Sequence, residues 1–200
     1  MSLSSPLPSA VTSLRRRSGS PLLRALIVLI AVAVGGLVAI TQARAASVGP
    51  SGLPLPRFAT TRSAEINVRV GPGTRYNIAW IYVKAGMPVE IVQEFDTWRK
   101  IRDVDGQEGW VHQNMLSGKR SGIAKPADAG GQLPLLSRAG DASGVRAWLG
   151  TGFRVDIAKC DGAWCQVSAT STPPSGSAAT YTGFLAQGQL WGVYPDEAFD

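Results

Sequence analysis

Residues 65–118 carry a regular succession of short apolar runs and turn-forming residues. The first run, at 66–70, alternates apolar and polar side chains with period two, which is the pattern of a strand with one buried face. Glycines on either side of a proline follow at 71–73, so the chain must stop and reverse there. Similar runs follow at 78–83, 89–95, 98–102 and 109–112. Short strands at this spacing predict a small closed β-sheet rather than a βαβ unit.

The second half of the chain repeats this pattern. A shift of 66 residues pairs Tyr82 with Trp148, Val83 with Leu149, Gly86 with Gly152, Val89 with Val155, Ile91 with Ile157, Trp98 with Trp164, and Ile101 with Val167. Upstream the shift is 69, which pairs Arg69 with Arg138, and downstream it is 74, which pairs Trp110 with Phe184. We therefore predict a second, divergent barrel over residues 132–195, in which a Ser- and Thr-rich stretch at 168–180 enlarges one loop.

The first 45 residues have the organisation of an export signal. An arginine-bearing start precedes an uncharged, mostly apolar run at 25–43, and the small residues Ala43 and Ala45 are of the kind that signal peptidase selects. The apolar run is also close in length to a membrane span, so the alternative is an uncleaved N-terminal hydrophobic helix that anchors the protein in the inner membrane. Both alternatives predict that the remaining chain is exported to the periplasm.

Proline and small residues divide the exported part of the chain. Residues 46–56 contain three prolines and are interpreted as an extended linker. Residues 119–131 are rich in Gly, Ala, Lys and Asp without a period, which is typical of a second linker. The first domain is therefore expected at 57–118.

The positive charge of the chain belongs mainly to its N-terminal segment. The formal net charge is +6, from 20 basic and 14 acidic residues. Five of the arginines and none of the acidic residues lie in the first 45 positions, which leaves 15 basic and 14 acidic residues beyond them. A net charge of about +1 does not favour nucleic acid as a partner.

Several positions of the first domain also match a known family. In order along the chain they are Asn67-Val68-Arg69, Gly71-Pro72-Gly73, a tyrosine, Gly86, Trp98 with Ile101, and Gly109-Trp110-Val111. This stretch resembles the bacterial SH3-like (SH3b) domain. The resemblance implies a small β-barrel that serves as a binding module of the cell wall or envelope, and it names no ligand. The predicted fold is thus all-β, with two SH3-like barrels in tandem after the N-terminal hydrophobic segment.

The two cysteines, Cys160 and Cys165, flank a predicted hairpin turn. Residues that face each other across two antiparallel strands bring their Cβ atoms close enough for a disulfide. An exported protein also resides in an oxidising compartment, where such bonds persist. The sequence therefore predicts a disulfide rather than a redox or metal site, because the spacing is not C-x-x-C and no second ligand cluster exists.

Catalytic chemistry has little support in the sequence. His112 is the only histidine, and it follows the last strand of the first domain. We interpret it as a solvent-facing or hydrogen-bonded side chain rather than a general base. Asp103, Asp105 and Glu108 cluster at a predicted turn and are expected to be solvated. We therefore expect neither an enzyme nor a cofactor or metal site.

Aromatic residues offer a candidate binding site. Trp98 and Trp110 recur in the second copy as Trp164 and Phe184, which favours a structural role for them. Tyr76 and Trp80 have no aromatic counterparts there, and they lie close to Arg75. An aromatic face can stack on a sugar or peptide while an arginine binds a carboxylate, so these three residues are the predicted ligand-binding site.

The functional hypothesis from sequence is therefore an exported, non-catalytic binding module. Its expected partner is peptidoglycan or a periplasmic protein, with the membrane contacted only through an uncleaved N-terminal segment. The alternative is a scaffold or accessory subunit of an envelope complex that binds no glycan.

Overall fold

The protein has an all-β fold, as predicted. The computed structural model describes residues 47–128, 130–140, 143–173 and 175–200. The first large sheet contains β3 (Arg57–Thr61), β4 (Ile66–Arg69), β5 (Ile78–Tyr82), β6 (Pro88–Phe95), β7 (Trp98–Arg102), β8 (Glu108–His112) and β9 (Leu116–Ser117). A small hairpin, β1 (Ser47–Val48) and β2 (Pro54–Leu55), precedes it.

The second large sheet follows directly. It contains β10 (Arg120–Ala124), β11 (Gln132–Leu136), β12 (Val145–Gly150), β13 (Arg154–Asp161), β14 (Trp164–Ser171), β15 (Ala179–Ala186), β16 (Leu190–Trp191) and β17 (Ala198–Phe199). Within the described ranges, the only helices are two short 3-10 turns, Gln113–Met115 and Gln187–Gln189.

The two sheets have the same topology. The first has the strand order β5-β4-β8-β7-β6-β3-β9, and the second has the order β12-β11-β15-β14-β13-β10-β16. Each is an open path of antiparallel strands, and each has its own buried apolar cluster. A β-bulge also recurs at the equivalent point, between Ile91 and Gln93 and between Ile157 and Lys159. The internal repeat is therefore present in strand order and register as well as in sequence.

Turn residues explain why the strands end where predicted. Gly86 and Gly152 have φ values of 77° and 80°, a region that strongly favours glycine. The turns of the β6–β7 and β13–β14 hairpins, which are equivalent to each other, contain Asp96, with φ of 48°, and Gly162, with φ of 99°. Aspartate tolerates the left-handed conformation in tight hairpins better than most residues, so both sequences support the same turn.

The alignment of the first hairpins requires a correction. Arg69 pairs with Trp110 on the neighbouring strand, and its structural counterpart Leu136 pairs with Phe184. The shift in residue number between the two first hairpins is therefore 67 rather than 69, and Arg138 lies beyond the end of β11. By the same register Trp148 is the counterpart of Ile81, not of Tyr82. Strand pairing and burial fix this register, whereas the identity of one arginine does not.

The predicted linker at 119–131 is also wrong in part, because it contains β10. Ser121, Gly122, Ile123 and Ala124 are buried, and β10 pairs with both β13 and β16. A Cβ atom on Gly122 would lie 3.2 Å from the carbonyl oxygen of Trp191, so the small side chain allows close packing. The small residues that indicated a linker are therefore those of a tightly packed strand.

The segment 46–56 differs from its linker prediction for a similar reason. Its β1–β2 hairpin turns through Gly52, whose φ is 79°. Ser51 at the turn donates hydrogen bonds from its backbone nitrogen and its hydroxyl to Glu94 of β6, over 2.8 and 2.7 Å. The segment is thus held against the first sheet instead of extending away from it.

The second sheet extends past the boundaries predicted for it. Strand β17 pairs with β13 beyond residue 195. Strands β14 and β15 remain paired as far as Ser171 and Ala179, so both ends of the predicted loop at 168–180 belong to a lengthened hairpin. Threonine hydroxyls at 170 and 180 bond across it over 2.9 Å.

The predicted signal peptide or anchor at 1–45 lies outside the described residues. Among the residues that the structure does describe, none of the helices is both long and apolar enough to cross a membrane.

Candidate functional site

The loop between β4 and β5 holds two of the three predicted binding residues. Its ends are joined where the backbone nitrogen of Val70 donates to the carbonyl of Asn77 over 3.0 Å. Within it, Tyr76 donates its backbone nitrogen to Gly73 over 3.2 Å. These bonds make the loop a defined turn that presents the side chains at 75 and 76.

Tyr76 is fixed in this loop by close packing on Gly71. A Cβ atom at Gly71 would lie 2.5 Å from the tyrosine ring, so only glycine leaves room for it. The guanidinium of Arg69 donates to the Tyr76 carbonyl over 2.7 Å. The ring is half-buried and its orientation is constrained from both sides.

Arg75 is exposed and lies over the ring of Tyr76. Its guanidinium carbon is 5.2 Å from the ring centroid, within the range of a cation–π contact. It also donates a hydrogen bond to the Tyr76 hydroxyl over 3.3 Å, and this bond raises the pKa of Arg75. The pair therefore presents a positive group and an aromatic face together.

Trp80 lies elsewhere, on the inner side of β5. It is opposite Val68 in the strand register and packs against the buried cluster of the first sheet. Its ring meets that of Tyr82 edge-on at 6.3 Å between centroids. The structure thus brings Arg75 and Tyr76 together and places Trp80 among the core residues.

The outer side of β5 forms an exposed apolar edge that sequence reasoning did not identify. We call it the β5 edge, and it consists of Val70, Ile78, Ile81 and Val83, which are 63, 46, 49 and 72% exposed. Strand β5 ends the sheet, so it pairs only with β4. The alternating sequence predicted this strand correctly, but it could not show which strand would lie at the border of the sheet.

The second sheet has an equivalent border at β12. Val145 and Trp148 are exposed there and occupy the register positions of Ile78 and Ile81. Exposed apolar residues on an edge strand are uncommon because they invite pairing with another chain. Both sheets nevertheless have an exposed apolar edge of this kind.

The remaining candidates have structural roles. Cys160 and Cys165 form the predicted disulfide across the β13–β14 hairpin, and both are buried. The Nδ1 atom of His112 accepts a hydrogen bond from the backbone nitrogen of Asn114 over 3.3 Å, which caps the first 3-10 turn. Its ring meets Trp98 edge-on at 5.7 Å.

Local contacts likewise account for two of the three acidic residues near 103–108. The Asp103 side chain accepts bonds from the backbone nitrogens of Asp105 and Gln107 over 3.0 and 2.8 Å. Glu108 forms ion pairs with Lys100 and Arg102 at 2.6 and 2.8 Å, which lower its pKa. In the part of the chain that the structure describes, no group of three His, Cys, Asp or Glu side chains is arranged to hold a metal ion.

The solved structures similar to this chain include two with low identity and low TM-scores. NlpC2 from Trichomonas vaginalis aligns at 12% identity and a TM-score of 0.27, over 68% of this chain and 48% of that one. NlpC1 from the same organism aligns at 13% identity and a TM-score of 0.26, over 72% of this chain and 48% of that one. The chain thus spans about half the length of each.

Comparison with curated proteins gives no significant match. Comparison with protein families gives one assignment within the first sheet. The residues concerned run from the turn after β3 to the end of β9, and they include the Arg75–Tyr76 loop and the β5 edge. Residues 62–118 match the bacterial SH3 domain family.

Proposed function

We propose that the protein is an exported, non-catalytic binding module of the cell envelope, which recognises peptidoglycan or a periplasmic protein. The proposed ligand-binding site is the Arg75–Tyr76 pair together with the adjoining β5 edge. In this proposal Trp80 supports the site from the core of the sheet.

The observation that carries this proposal is the position of the Arg75–Tyr76 pair beside β5, the edge strand of the first sheet. An extended peptide can add to an exposed sheet edge through main-chain hydrogen bonds, with alternate side chains packing on the strand's outer face. Ile81 would supply that apolar contact, and Arg75 would bind a carboxylate of the ligand. Peptide stems of the cell wall and segments of periplasmic proteins both satisfy this description.

Two further observations support export and duplication. A buried disulfide is typical of proteins that mature in an oxidising compartment. The identical strand order of the second sheet supports its assignment as a second SH3-like unit. We propose that its own border, at β12, contributes a separate contact.

A pull-down of the full chain on purified peptidoglycan sacculi tests the proposed site. We expect Arg75→Gln and Ile81→Ser each to lower retention several-fold, because each removes one contact with the bound peptide. Val48→Ser is the matched control, since it makes the same kind of change at an exposed valine of β1, outside the proposed site. Equal retention of all variants, or loss only in the control, would exclude the Arg75–Tyr76 site.

The alternative function is a scaffold or accessory subunit of an envelope protein complex. The exposed apolar borders of both sheets favour this alternative, because such borders bind protein strands. Photo-crosslinking from position 81 in cells distinguishes the two. A protein adduct without any glycan adduct would support the scaffold function.

A further inference from the structure

A cleft lies between the two large sheets, separate from the β5 edge. Its volume is about 500 Å³, and its walls come from the end of β3, the β5–β6 turn, the β9–β10 connection and β13. A second recess of about 300 Å³ adjoins it and shares Ala85 and Arg154. Thr170, on the lengthened β14–β15 hairpin, borders the second recess.

Direct bonds between the sheets hold the walls of this cleft in place. Arg154 of the second sheet donates through Nε to the carbonyl of Gly86 in the first, over 2.6 Å. A Cβ atom at Gly86 would lie 2.5 Å from that guanidinium, so glycine permits the approach. The buried hydroxyls of Thr60 and Ser121 also meet at 2.9 Å. The cleft is therefore formed before any ligand arrives.

Positive charge is concentrated in this cleft. Its walls contain Arg62, Lys84, Lys119 and Arg154, with Asp156 as the single acidic residue lining the two recesses. Asp156 is already paired with Arg154. The exported part of the chain has 15 basic and 14 acidic residues, so a cleft with a net charge of about +3 is a local excess.

The other basic side chains in the cleft lack acidic partners. Outside the cleft, five basic residues form ion pairs with carboxylates, namely Arg57, Arg99, Lys100, Arg102 and Arg120. Among the residues that the structure describes, six others outside it form none, namely Arg69, Arg75, Lys125, Arg138, Arg146 and Lys159. Over the described ranges, Arg62, Lys84 and Lys119 form no ion pair, and all three are exposed. Arg62 donates only to the carbonyl of Leu116, over 3.2 Å.

We propose that this cleft binds an acidic peptide whose carboxylates are held by Lys84, Lys119 and Arg62. The peptide chain lies in the two adjoining recesses, and its carboxylates replace the acidic partners that these side chains lack. Charge-assisted hydrogen bonds to carboxylates supply both affinity and orientation. The near-neutral surface around the cleft does not favour a long polyanion such as a nucleic acid.

Fluorescence anisotropy with the full chain in non-ionic detergent tests the proposal. The probe is a fluorescein-labelled peptide of alternating glutamate and glycine, and the comparison peptide carries glutamine in place of glutamate. We expect only the acidic peptide to bind, and we expect its affinity to fall as salt rises, because the contacts are electrostatic.

Paired substitutions test whether the charge of each lysine, rather than its shape, is needed to bind the acidic peptide. We expect Lys84→Gln and Lys119→Gln each to raise the Kd for the acidic peptide about five- to tenfold. Lys84→Arg and Lys119→Arg, which keep the charge, should stay within about twofold of the wild type. Lys159→Gln is the matched control, because this exposed lysine lies toward the other end of β13.

Several results would overturn the proposal. They are absence of binding, equal binding of the glutamine peptide, and an unchanged Kd in the glutamine variants. Stronger competition by inorganic phosphate or a short oligonucleotide than by unlabelled acidic peptide would assign the cleft to phosphate groups instead. The sacculi experiment on Arg75 and Ile81 can succeed or fail independently, since it probes different residues.

Discussion

The two large sheets share one topology but stabilise the same hairpin in different ways. In the first sheet the second cross-strand pair from the β6–β7 turn is Glu94 and Arg99, whose side chains form an ion pair at 3.2 Å. In the second sheet the equivalent pair is Cys160 and Cys165, which form the disulfide. The same structural position is thus stabilised by an ion pair in the first sheet and by a covalent bond in the second.

The surroundings of the two pairs differ accordingly. The Glu94 side chain is fully buried and also accepts from Arg57 at 2.6 Å and from Ser51 at the tip of the β1–β2 hairpin. Burial alone would raise the pKa of Glu94, but the hydrogen bonds from Ser51 and Arg57 outweigh it and lower that pKa to about 2. A disulfide requires no such partners, and among the strands that the structure describes no hairpin equivalent to β1–β2 precedes the second sheet. Instead β17 pairs with β13 at Cys160.

Two sheets can thus share one strand order while the chemistry of a key contact differs between them. The first hairpin depends on protonation and on the segment that precedes the sheet. The second depends on oxidation. Each can therefore be perturbed without directly affecting the other.

Removal of the Glu94 carboxylate should have the largest effect. Glu94→Ala leaves Arg57 and Arg99 without their shared partner, and loss of one member of a buried ion pair typically costs about 3–5 kcal/mol. Urea unfolding followed by tryptophan fluorescence measures this change. Glu65→Ala, at an exposed glutamate of the same sheet, is the control. A loss below about 1 kcal/mol would mean that the ion pair behaves as an exposed one.

Acid should lower the stability of the first sheet by protonating Glu94. The pKa of Glu94 falls from its ordinary value near 4.5 to about 2 in the folded protein. The contribution of ionised Glu94 to the free energy of unfolding is therefore complete above pH 4.5. It is lost as the pH falls toward 2, and it amounts to about 3 kcal/mol in total. Hydrogen exchange of β6 and β7 across this range measures it. A Glu94→Gln variant that loses stability as steeply as the wild type would assign the acid effect to other carboxylates.

Reduction of the disulfide should affect the second sheet by a smaller amount. Closure of this short loop contributes about 2 kcal/mol on the chain-entropy model. We expect a reducing agent to lower the free energy of unfolding by that amount, with faster hydrogen exchange in β13 and β14. A Cys160→Ala, Cys165→Ala double variant should show no further response to reductant. Equal acceleration of β6 and β7 on reduction would contradict the independence of the two hairpins.

The sequence predicted the strands of the first sheet well because local signals define them. The glycine and aspartate turns at 86 and 96 have positive φ, and the five predicted strands ended within a residue or so of their predicted boundaries. The other two strands of this sheet, β3 and β9, were not predicted. The disulfide could also be predicted from the sequence, because the repeat placed the two cysteines opposite each other across a hairpin. These features depend on residues that are close together in the sequence.

Features that depend on distant contacts were not predictable in the same way. Strand β10 resembled a linker because its small residues are buried by partners far along the chain, such as Trp191. Trp80 was assigned to the binding site, although the register of β5 against β4 directs it inward. The basic cleft combines residues from four separate segments, so no single stretch of sequence reveals it.

Loss of one bond between the sheets should have the smallest effect. The Tyr194 hydroxyl donates to Glu90 of β6 over 2.9 Å, and its ring also packs on Phe58 at 4.7 Å. Tyr194→Phe removes the hydrogen bond and keeps the ring. Glu90 retains its ion pair with Arg102 at 3.1 Å, so we expect a loss of only about 1 kcal/mol.

The control for this change is Tyr181→Phe, at an exposed tyrosine of β15, which should leave stability within about 0.5 kcal/mol of the wild type. Chemical denaturation measures both variants. Because the hydrogen bond ends on Glu90, its loss should also speed hydrogen exchange slightly at β6 and leave exchange at β14 unchanged. A Tyr194→Phe variant as stable as Tyr181→Phe would show that packing of the Tyr194 ring on Phe58, rather than this hydrogen bond, holds the contact between the two sheets.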